Sequence, residues 1–524
     1  MNKARDVFNL IIIFCLFVAS CLVLLVSSFT TIYYDMHMDE DWPQYGKENI
    51  PVLIVLVAAV LGMFLILYRK GLFERGSRFF MILGPVIIAL YCLMLILSIK
   101  PQAVNDSKTL DNIINSFMQG DFRELTTPGG YLFTWPFQLG YVALGQAMAY
   151  IFGPSNYFAW DILQLLCILI TVFLIYRITW ELFEDRAVCG IVGLLSVGAL
   201  FFYNYVTYIY GDIISMAPQT IALYMMVLYL KRDRVRYAVV SAISIAAAVV
   251  IKTNCEITLI ALIMVLLGSL LSDKKKGSVS AQKTDAGFRR VAKKLVLATL
   301  FVGLVFLSKG LVDSYYCHLT GLERIPDGNP SWAHIAMGLQ ESPLEDGWYN
   351  GYNYDVFTAN NYDTAATAEA AKENIRETLT AFAERPLHGA RFLVRKFTTQ
   401  WCDSVCISTH NLDLVSRHVE NPTELGMWLV FGGGSRILIW IMNVFMPVCY
   451  IGVAIYLFTK LREKNISSGE MLLLILIFGG ILFHEFWEGS SRYTMRYYIY
   501  WLPYSACGLK VLLGRITEYK NRKI

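Results

Sequence analysis

Several ionisable side chains stand at the ends of long apolar runs, where a charge turned toward lipid costs several kcal/mol. Asp106 and Asp111 follow one such run, Asp212 closes Tyr208-Ile209-Tyr210-Gly211-Asp212, and Lys252 sits in Ile251-Lys252-Thr253-Asn254. His484, Glu485, Glu488, Arg492 and Arg496 share a single later turn. Taken singly, each reads equally well as an interfacial anchor or an ion-pair partner. Together they offer a definite chemistry. Arg holds a phosphate through two parallel hydrogen bonds and Lys as a point charge, while a carboxylate can take the proton of an attacking hydroxyl. With the phosphate of a lipid carrier leaving as the hydroxyl attacks, that set of groups would move a sugar from a polyprenyl-linked donor to an acceptor.

The elements that must position these residues are membrane spans. Charged residues make up only 16% of the chain and hydrophobic ones 56%, against roughly a quarter charged in soluble proteins, which excludes an ordinary cytosolic enzyme. A net charge of +4 is too small to point to nucleic acid. Apolar runs of about 20 residues, the length that crosses the hydrocarbon, fall near 9–31, 51–69, 79–99, 158–180, 187–208, 212–230, 236–251, 255–271, 293–313, 436–459, 470–489 and 494–514. The expected fold is therefore all-α and polytopic, with about twelve transmembrane helices. The first run follows Asn2-Lys3-Ala4-Arg5 but is too long for a signal-peptide core, so it reads as a retained helix. With the N-terminus inside, Arg69 to Arg78, Arg177 to Arg186, Lys231 to Arg236, Lys274 to Lys294, Lys460 to Lys464 and Arg515 to Lys523 all become inner segments, and every one is basic. Both termini are then cytoplasmic, and the candidate residues lie on the outer side. The stretch Tyr131 to Phe152 would invert this charge order if it spanned, so it is assigned to the outer interface, in keeping with Pro136 and Gly140. Three substantial outer segments result, at about 32–50, 100–157 and 314–435. In the last, Ala365 to Phe382 and Pro386 to Trp401 read as amphipathic helices and Pro326 to Asp355 as a structured loop.

Local sequences then become recognisable. Asn105-Asp106 through Gly120-Asp121-Phe122, Gly129-Gly130-Tyr131-Leu132 and Trp135-Pro136-Phe137-Gln138-Leu139-Gly140 resemble the first outer loop of family 39-like bacterial membrane glycosyltransferases. These belong to the GT-C superfamily, with protein O-mannosyltransferases and the lipid A aminoarabinose transferase as distant relatives. Tyr208 to Ser215, Lys252-Thr253-Asn254, Ser331-Trp332 through Gln340, Gly347 to Asn353 and Glu488 to Tyr493 look like the same group, in the same order along the chain, from about residue 80 onward. The resemblance implies a GT-C-like bundle and an inverting transferase for hexosyl or pentosyl units, using a polyprenyl phosphate such as undecaprenyl phosphate. Its acceptor would be a cell-envelope glycan or teichoic acid. Asp106 would be the catalytic base, with Asp111 a rival, and Asp212 a second acidic position that orients the base or holds a divalent cation. Lys252 and Arg492 would take the donor phosphate. Gln138, Tyr210, Trp332, Trp348, Tyr352, Glu488 and Tyr493 would line the pocket for donor and acceptor.

On this reading the chain divides into an N-terminal two-helix addition (1–78), a transmembrane core with the catalytic loop 100–157 (79–313), an extracytoplasmic segment (314–435) and C-terminal spans (436–524). The acidic run Asp35 to Asp41 lies in the addition and reads as a solvated turn, though it has the composition to imitate the first-loop acid or bind a cation. Cys402 and Cys406, with Cys317, are expected outside, either with one disulfide or as free thiols, and His318, His334, His388, His410 and His418 as surface residues. No P-loop, Gly-x-Gly-x-x-Gly after a strand, or Gly-x-Ser-x-Gly elbow is present, which argues against a nucleotide-sugar donor. A transporter or flippase for a lipid-linked sugar is the alternative. Transporters place their binding residues near the bilayer midplane in repeated halves, whereas here the charges gather at one rim and no second half resembles the first.

Overall fold

The computed structural model describes residues 3–34, 41–271, 282–417, 419 and 422–521. Asp35 to Glu40 of the acidic run, His418 and the first part of the polar linker after Leu271 lie outside them. The described residues form a helical bundle with one two-stranded hairpin. In chain order these are α1 (Lys3–Phe29), β1 (Thr30–Tyr34), β2 (Pro43–Lys47), α2 (Ile50–Arg69), α3 (Ser77–Ile99), α4 (Asn105–Met118), α5 (Leu139–Phe152) and α6 (Tyr157–Phe183). There follow α7 (Arg186–Leu195), α8 (Gly211–Arg232), α9 (Val235–Ile251), α10 (Glu256–Gly268), α11 (Gln282–Thr320), α12 (Ser331–Gly338), α13 (Tyr352–Ala359), α14 (Thr364–Glu384) and α15 (Pro386–Trp401). The last are α16 (Ser408–Ser416), α17 (Glu424–Val430), α18 (Gly433–Glu463), α19 (Ser468–Phe486) and α20 (Ser491–Asn521).

Each of the expected spans falls on helix. Among the described residues eight helices are long and apolar enough to cross a membrane, and a ninth span results if Arg186–Gly198 and Leu200–Thr207, bent by 59° at Ala199, count as one. The chain is a multi-pass membrane protein. Two further predicted spans are the shorter apolar helices Val235–Ile251 and Thr253–Gly268. The remaining one, α20, has the length but carries Arg492, Arg496 and a run of tyrosines. Tyr497, Tyr498, Tyr500 and Trp501 are buried against neighbouring helices, so protein rather than lipid sets their composition. α5 has 14 residues, a rise of about 21 Å that falls short of the hydrocarbon thickness of about 30 Å. It follows the break at Trp135 and Pro136, as expected of a helix that does not span.

The basic loops meet at one end of the bundle. Lys231 pairs with Glu181 at 3.1 Å and Glu184 at 2.5 Å, Arg232 with Glu181 at 2.7 Å, Lys293 with Asp233 at 2.7 Å, and Lys510 with Asp185. The opposite end carries the hairpin, α4, the turn before α20, and the segment α12–α16. The loop expected over Pro326 to Asp355 contains the short helix α12, whose Ala333 and Ala336 are fully buried against α14. The first helix and the hairpin, read above as part of an N-terminal addition, are packed into the rest of the bundle. α1 packs along α18, and in β1 Thr31 donates to Asn443 Oδ1 at 3.2 Å while the Tyr34 hydroxyl donates to Asp403 at 2.8 Å.

Gly140 fixes how α5 meets α9. A Cβ there would stand 2.0 Å from the Val250 carbonyl oxygen, a clash with backbone that no rotamer relieves. Gly140→Ala is expected to cost about 1–3 kcal/mol by overpacking and to lower the melting temperature of the purified protein by several degrees. Gly62→Ala, at a helical position with nothing within 4 Å of the new Cβ, should not lower it. Equal melting of the two variants would refute the close-approach argument.

Candidate active site

At the end of the bundle away from the basic loops lies a cavity of about 740 Å³. It is walled by the start of α4, the stretch 131–138, Tyr208 and Tyr210, the turn between α9 and α10, the turn between α19 and α20, and residues of the 314–435 segment. Each wall brings one of the sequence motifs.

Asp106 is in the first turn of α4, where the helix N-terminus favours negative charge. Ser107 closes the preceding turn, accepting from Val104 N at 2.9 Å and donating to Val104 O at 2.6 Å. The Asp106 side chain is exposed to the cavity. Asp111 is not. Five residues further along the helix it points about 140° away, buried where it accepts from Ser155 Oγ at 2.9 Å, the Tyr157 hydroxyl at 2.8 Å and Lys108 Nζ at 3.3 Å. With those partners it fastens α4 to the start of α6 and stands outside the cavity.

Asp212, in the first turn of α8, is 2% exposed. One carboxylate oxygen meets Lys252 Nζ at 3.3 Å and the other Arg496 at 3.5 Å. Arg496 is held further by Gln219 at 3.3 Å and Ser215 at 3.3 Å. Lys252 leaves this pair to line the cavity, with its ammonium 4.1 Å from the centroid of the Tyr210 ring. Gln138 donates to the Tyr210 hydroxyl.

Of the other cations of the wall, Lys309 is paired with Glu256 at 2.5 Å, and Arg492 is the second. It donates to the Tyr208 hydroxyl at 3.2 Å and the Tyr493 hydroxyl at 3.3 Å, with the Tyr208, Tyr210 and Tyr493 rings 5.9, 5.7 and 5.2 Å away. Among the described residues no carboxylate lies within ion-pair distance of it, and its buried Nε has no hydrogen-bond partner. An arginine held by phenol rings and left unpaired is equipped to receive an anion. Glu488 accepts from the Tyr493 hydroxyl at 3.2 Å, and burial raises its carboxyl above the ordinary value.

The 314–435 segment forms the lid. Gly489 N donates to Gly347 O at 2.7 Å, Trp348 pairs with Gly489 as an isolated bridge, and Trp348 Nε1 donates to Thr399 at 3.1 Å. The two motifs that flank these residues in sequence are thus joined directly. Gly347 has φ +72°, and a Cβ there would meet Lys396 and the Gly338 carbonyl. Trp332 and Tyr352 depart from expectation. Trp332 is 44% exposed with Lys372 over its ring, and Tyr352 packs with Ala333, Ala336 and Ala371; neither lines the cavity.

In and around the cavity stand residues to which the sequence assigned no part in it. His334, expected at the surface, is buried, stacked 4.7 Å from Trp487 and hydrogen-bonded to Asn353 at 3.3 Å. His410 is buried too. Asp41, the described end of the acidic run, lines the cavity rather than a solvated turn and lies 3.6 Å from His410. Lys396 is fully buried and donates to the carbonyls of Gly338, Glu485 at 3.0 Å and Trp487 at 2.6 Å. A single cation thereby closes the end of α19 and joins it to α12. Cys402 and Cys406, expected to face outward, are buried, and all the cysteines are free. For a divalent cation the donor set is poor. Asp212 is occupied by two cations, and no group of three His, Cys, Asp or Glu residues is placed to hold a metal among the described residues.

Burial lowers the His334 imidazole from 6.5 to about 4. The unfolded chain then binds a proton before the folded one does, so stability is lost as pH falls from about 6.5 toward about 4. At pH 5 the loss is about 2 kcal/mol. His334→Gln should show a smaller fall in melting temperature between pH 7 and pH 5 than the parent protein; an unchanged fall would contradict this assignment.

No curated protein matches the sequence. Two solved structures of the archaeal oligosaccharyltransferase AglB from Archaeoglobus fulgidus are similar in form. One, in complex with an inhibitory peptide and a dolichol-phosphate, is 17% identical with a TM-score of 0.42, over 86% of this chain and 52% of that one. The other, tethered to an acceptor peptide, is 16% identical with a TM-score of 0.42, over 85% and 51%. The chain thus spans about half the length of these structures. A family model described as dolichyl-phosphate-mannose-protein mannosyltransferase matches residues 139–281, the stretch that carries Tyr210, Asp212 and Lys252, and over that stretch the chain is similar to this GT-C family.

Proposed function

We propose that the chain is an inverting membrane glycosyltransferase that takes a sugar from a polyprenyl-phosphate donor. One observation carries the reading: a single cavity joins an exposed carboxylate on a helix N-terminus, Asp106, to an arginine free of ion pairs among the described residues, Arg492, with Lys252 beside it. The donor phosphate is held by Arg492 and Lys252. Asp106 takes the proton of an acceptor hydroxyl, whose oxygen attacks the anomeric carbon as the bond to the phosphate oxygen breaks on the opposite side. The configuration inverts, and the phosphate leaves with its electron pair stabilised by the two cations. Asp212 is a positioning residue, since it fixes the Lys252 side chain.

The donor lipid, undecaprenyl phosphate, and the acceptor, a cell-envelope glycan or teichoic acid, follow from the sequence resemblance. So does the division into an N-terminal addition (1–78), a core (79–313), an outer segment (314–435) and C-terminal spans (436–524). The outer location rests on charge. The cavity lies at the opposite end from the basic loops, and the excess of Lys and Arg in those loops supports cytoplasmic termini and an outer site. Convergence of Asp106, Lys252 and Arg492 under residues of the 314–435 segment supports transfer over transport.

Asp106→Asn is expected to cut sugar transfer about 10²- to 10⁴-fold in membranes supplied with polyprenyl-phosphate sugar, while labelled polyprenyl phosphate still binds. Undiminished transfer by folded protein removes Asp106 from the role. Burial also lowers the Lys252 ammonium to about 8, so its charge is present below that pH and lost above it. Donor affinity should hold up to about pH 8 and fall about tenfold above it, the worth of one charge-assisted hydrogen bond. Lys252→Met should bind weakly at every pH and lose that alkaline fall; a parallel fall in the variant would assign it elsewhere.

A further inference from the structure

A second cavity, of about 830 Å³, opens between the N-terminal hairpin and the loop 341–346. Its volume is within the range of ligand sites, and its lining mixes two kinds of surface. Trp42 and Tyr45 line it and are 39% and 44% exposed. Around them stand hydrogen-bonding charges: Glu341 with His388 at 3.7 Å, Arg391, and Arg395 paired to Glu345 at 2.5 Å. A lipid tail would take these charges out of water with no hydrogen bond in return, and an anion would make no use of the rings. The acids Glu341, Glu345 and Asp346 nearly balance Arg391, Arg395 and His388. What fits is a neutral molecule with an apolar face and a rim of hydroxyls, which is the chemistry of a sugar ring.

The two cavities adjoin. Leu344 lines both, and Asp41, in the wall of the transfer cavity, is followed in the chain by Trp42, in the wall of the second. Consecutive residues are about 3.8 Å apart, so only a thin partition separates the spaces. The strand pairing Tyr34 with Pro43 and Ile32 with Tyr45 holds the aromatic pair in place.

We propose that this second cavity is the acceptor subsite: a neutral, hydroxyl-rich glycan lies across Trp42 and Tyr45, and its terminal sugar passes Leu344 to offer a hydroxyl to Asp106. The inference rests on the transfer reading above and assigns the acceptor a place on the N-terminal addition.

The test uses the full-length protein in nanodiscs, polyprenyl-phosphate sugar, and as probe the size-fractionated neutral polysaccharide of the producing cells' own envelope. Trp42→Ala and Tyr45→Ala should each raise the half-saturating concentration of this glycan tenfold or more, with binding of labelled polyprenyl phosphate unchanged. Glu341→Gln and Arg391→Gln, at exposed positions, should raise it more modestly without risk to folding. Saturation-transfer NMR with the same glycan should show contact in the parent protein and its loss in Trp42→Ala. Half-saturation unchanged in all four variants overturns the subsite, as does an absence of glycan contact in the parent protein. Failure of the transfer reading appears differently, as full transfer by Asp106→Asn with glycan contact at Trp42 intact.

Discussion

The pairing of Asp212 with Lys252 and Arg496 is the interaction on which the site depends. A buried carboxylate cannot stay ionised among apolar helices unless cations meet it. The two that do so come from different elements, the turn after α9 and the second turn of α20. Pairing therefore fixes three helix ends relative to one another. It also divides the cations. Arg496 is consumed in the interior with Gln219 and Ser215, Lys252 is left half in the pair and half in the cavity, and Arg492, one helical turn from Arg496, is left with tyrosines alone. Had Asp212 been placed to meet Arg492, the cavity would carry no uncommitted positive charge for a phosphate.

A second constraint acts from the other side. The turn joining α19 to α20 must expose Glu488 and Arg492 while ending one helix and beginning another, which leaves backbone carbonyls without partners. Lys396 supplies them, reaching Glu485 and Trp487 and at the same time Gly338. The Gly347 carbonyl takes the Gly489 amide. The stretch around Gly347 and the turn before α20 are thus one hydrogen-bonded unit, so residues of the 314–435 stretch help to shape the cavity.

The helical spans were legible in the sequence because they follow from hydropathy, which acts locally along the chain. So was the meeting of Asp106, Gln138, Tyr210, Lys252, Trp348, Glu488, Arg492 and Tyr493. What could not be read was direction. Asp106 and Asp111 have the same chemistry in sequence, and only the turn of α4 sends one to the cavity and the other to Ser155 and Tyr157. Trp332 and Tyr352 sit in the right motifs, but the helix that carries Trp332 turns Ala333 and Ala336 inward, and Tyr352 packs against those alanines and Ala371. Lys396 and His334 gave no signal because their partners, Trp487 and the carbonyls around it, are about 90 to 150 residues away, and no spacing rule reaches that far. A pattern of isolated charges beside tryptophan in an inserted segment would have been the only hint.

The N-terminal addition gains its meaning from the same long-range bonding. β1 is held by buried polar contacts that a detachable addition would not need. Tyr34 and Ser491 both donate to Asp403, which also accepts from Val405 and Ile407 amides at 2.9 and 3.1 Å. Asn443 donates to Thr31 at 3.1 Å and to Glu48 at 2.6 Å. Ser491 precedes Arg492, so the network that holds the hairpin also holds the start of α20. Leaving any member unpaired would cost about 1–3 kcal/mol, and the cost would fall on the turn that carries Arg492 as much as on the hairpin. A chain that only needed extra spans could have ended α1 in a polar loop. This one pairs Thr30–Tyr34 with Pro43–Lys47 against the core, and the residues just before the second strand stand at the cavities, Asp41 in the wall of one and Trp42 in the wall of the other.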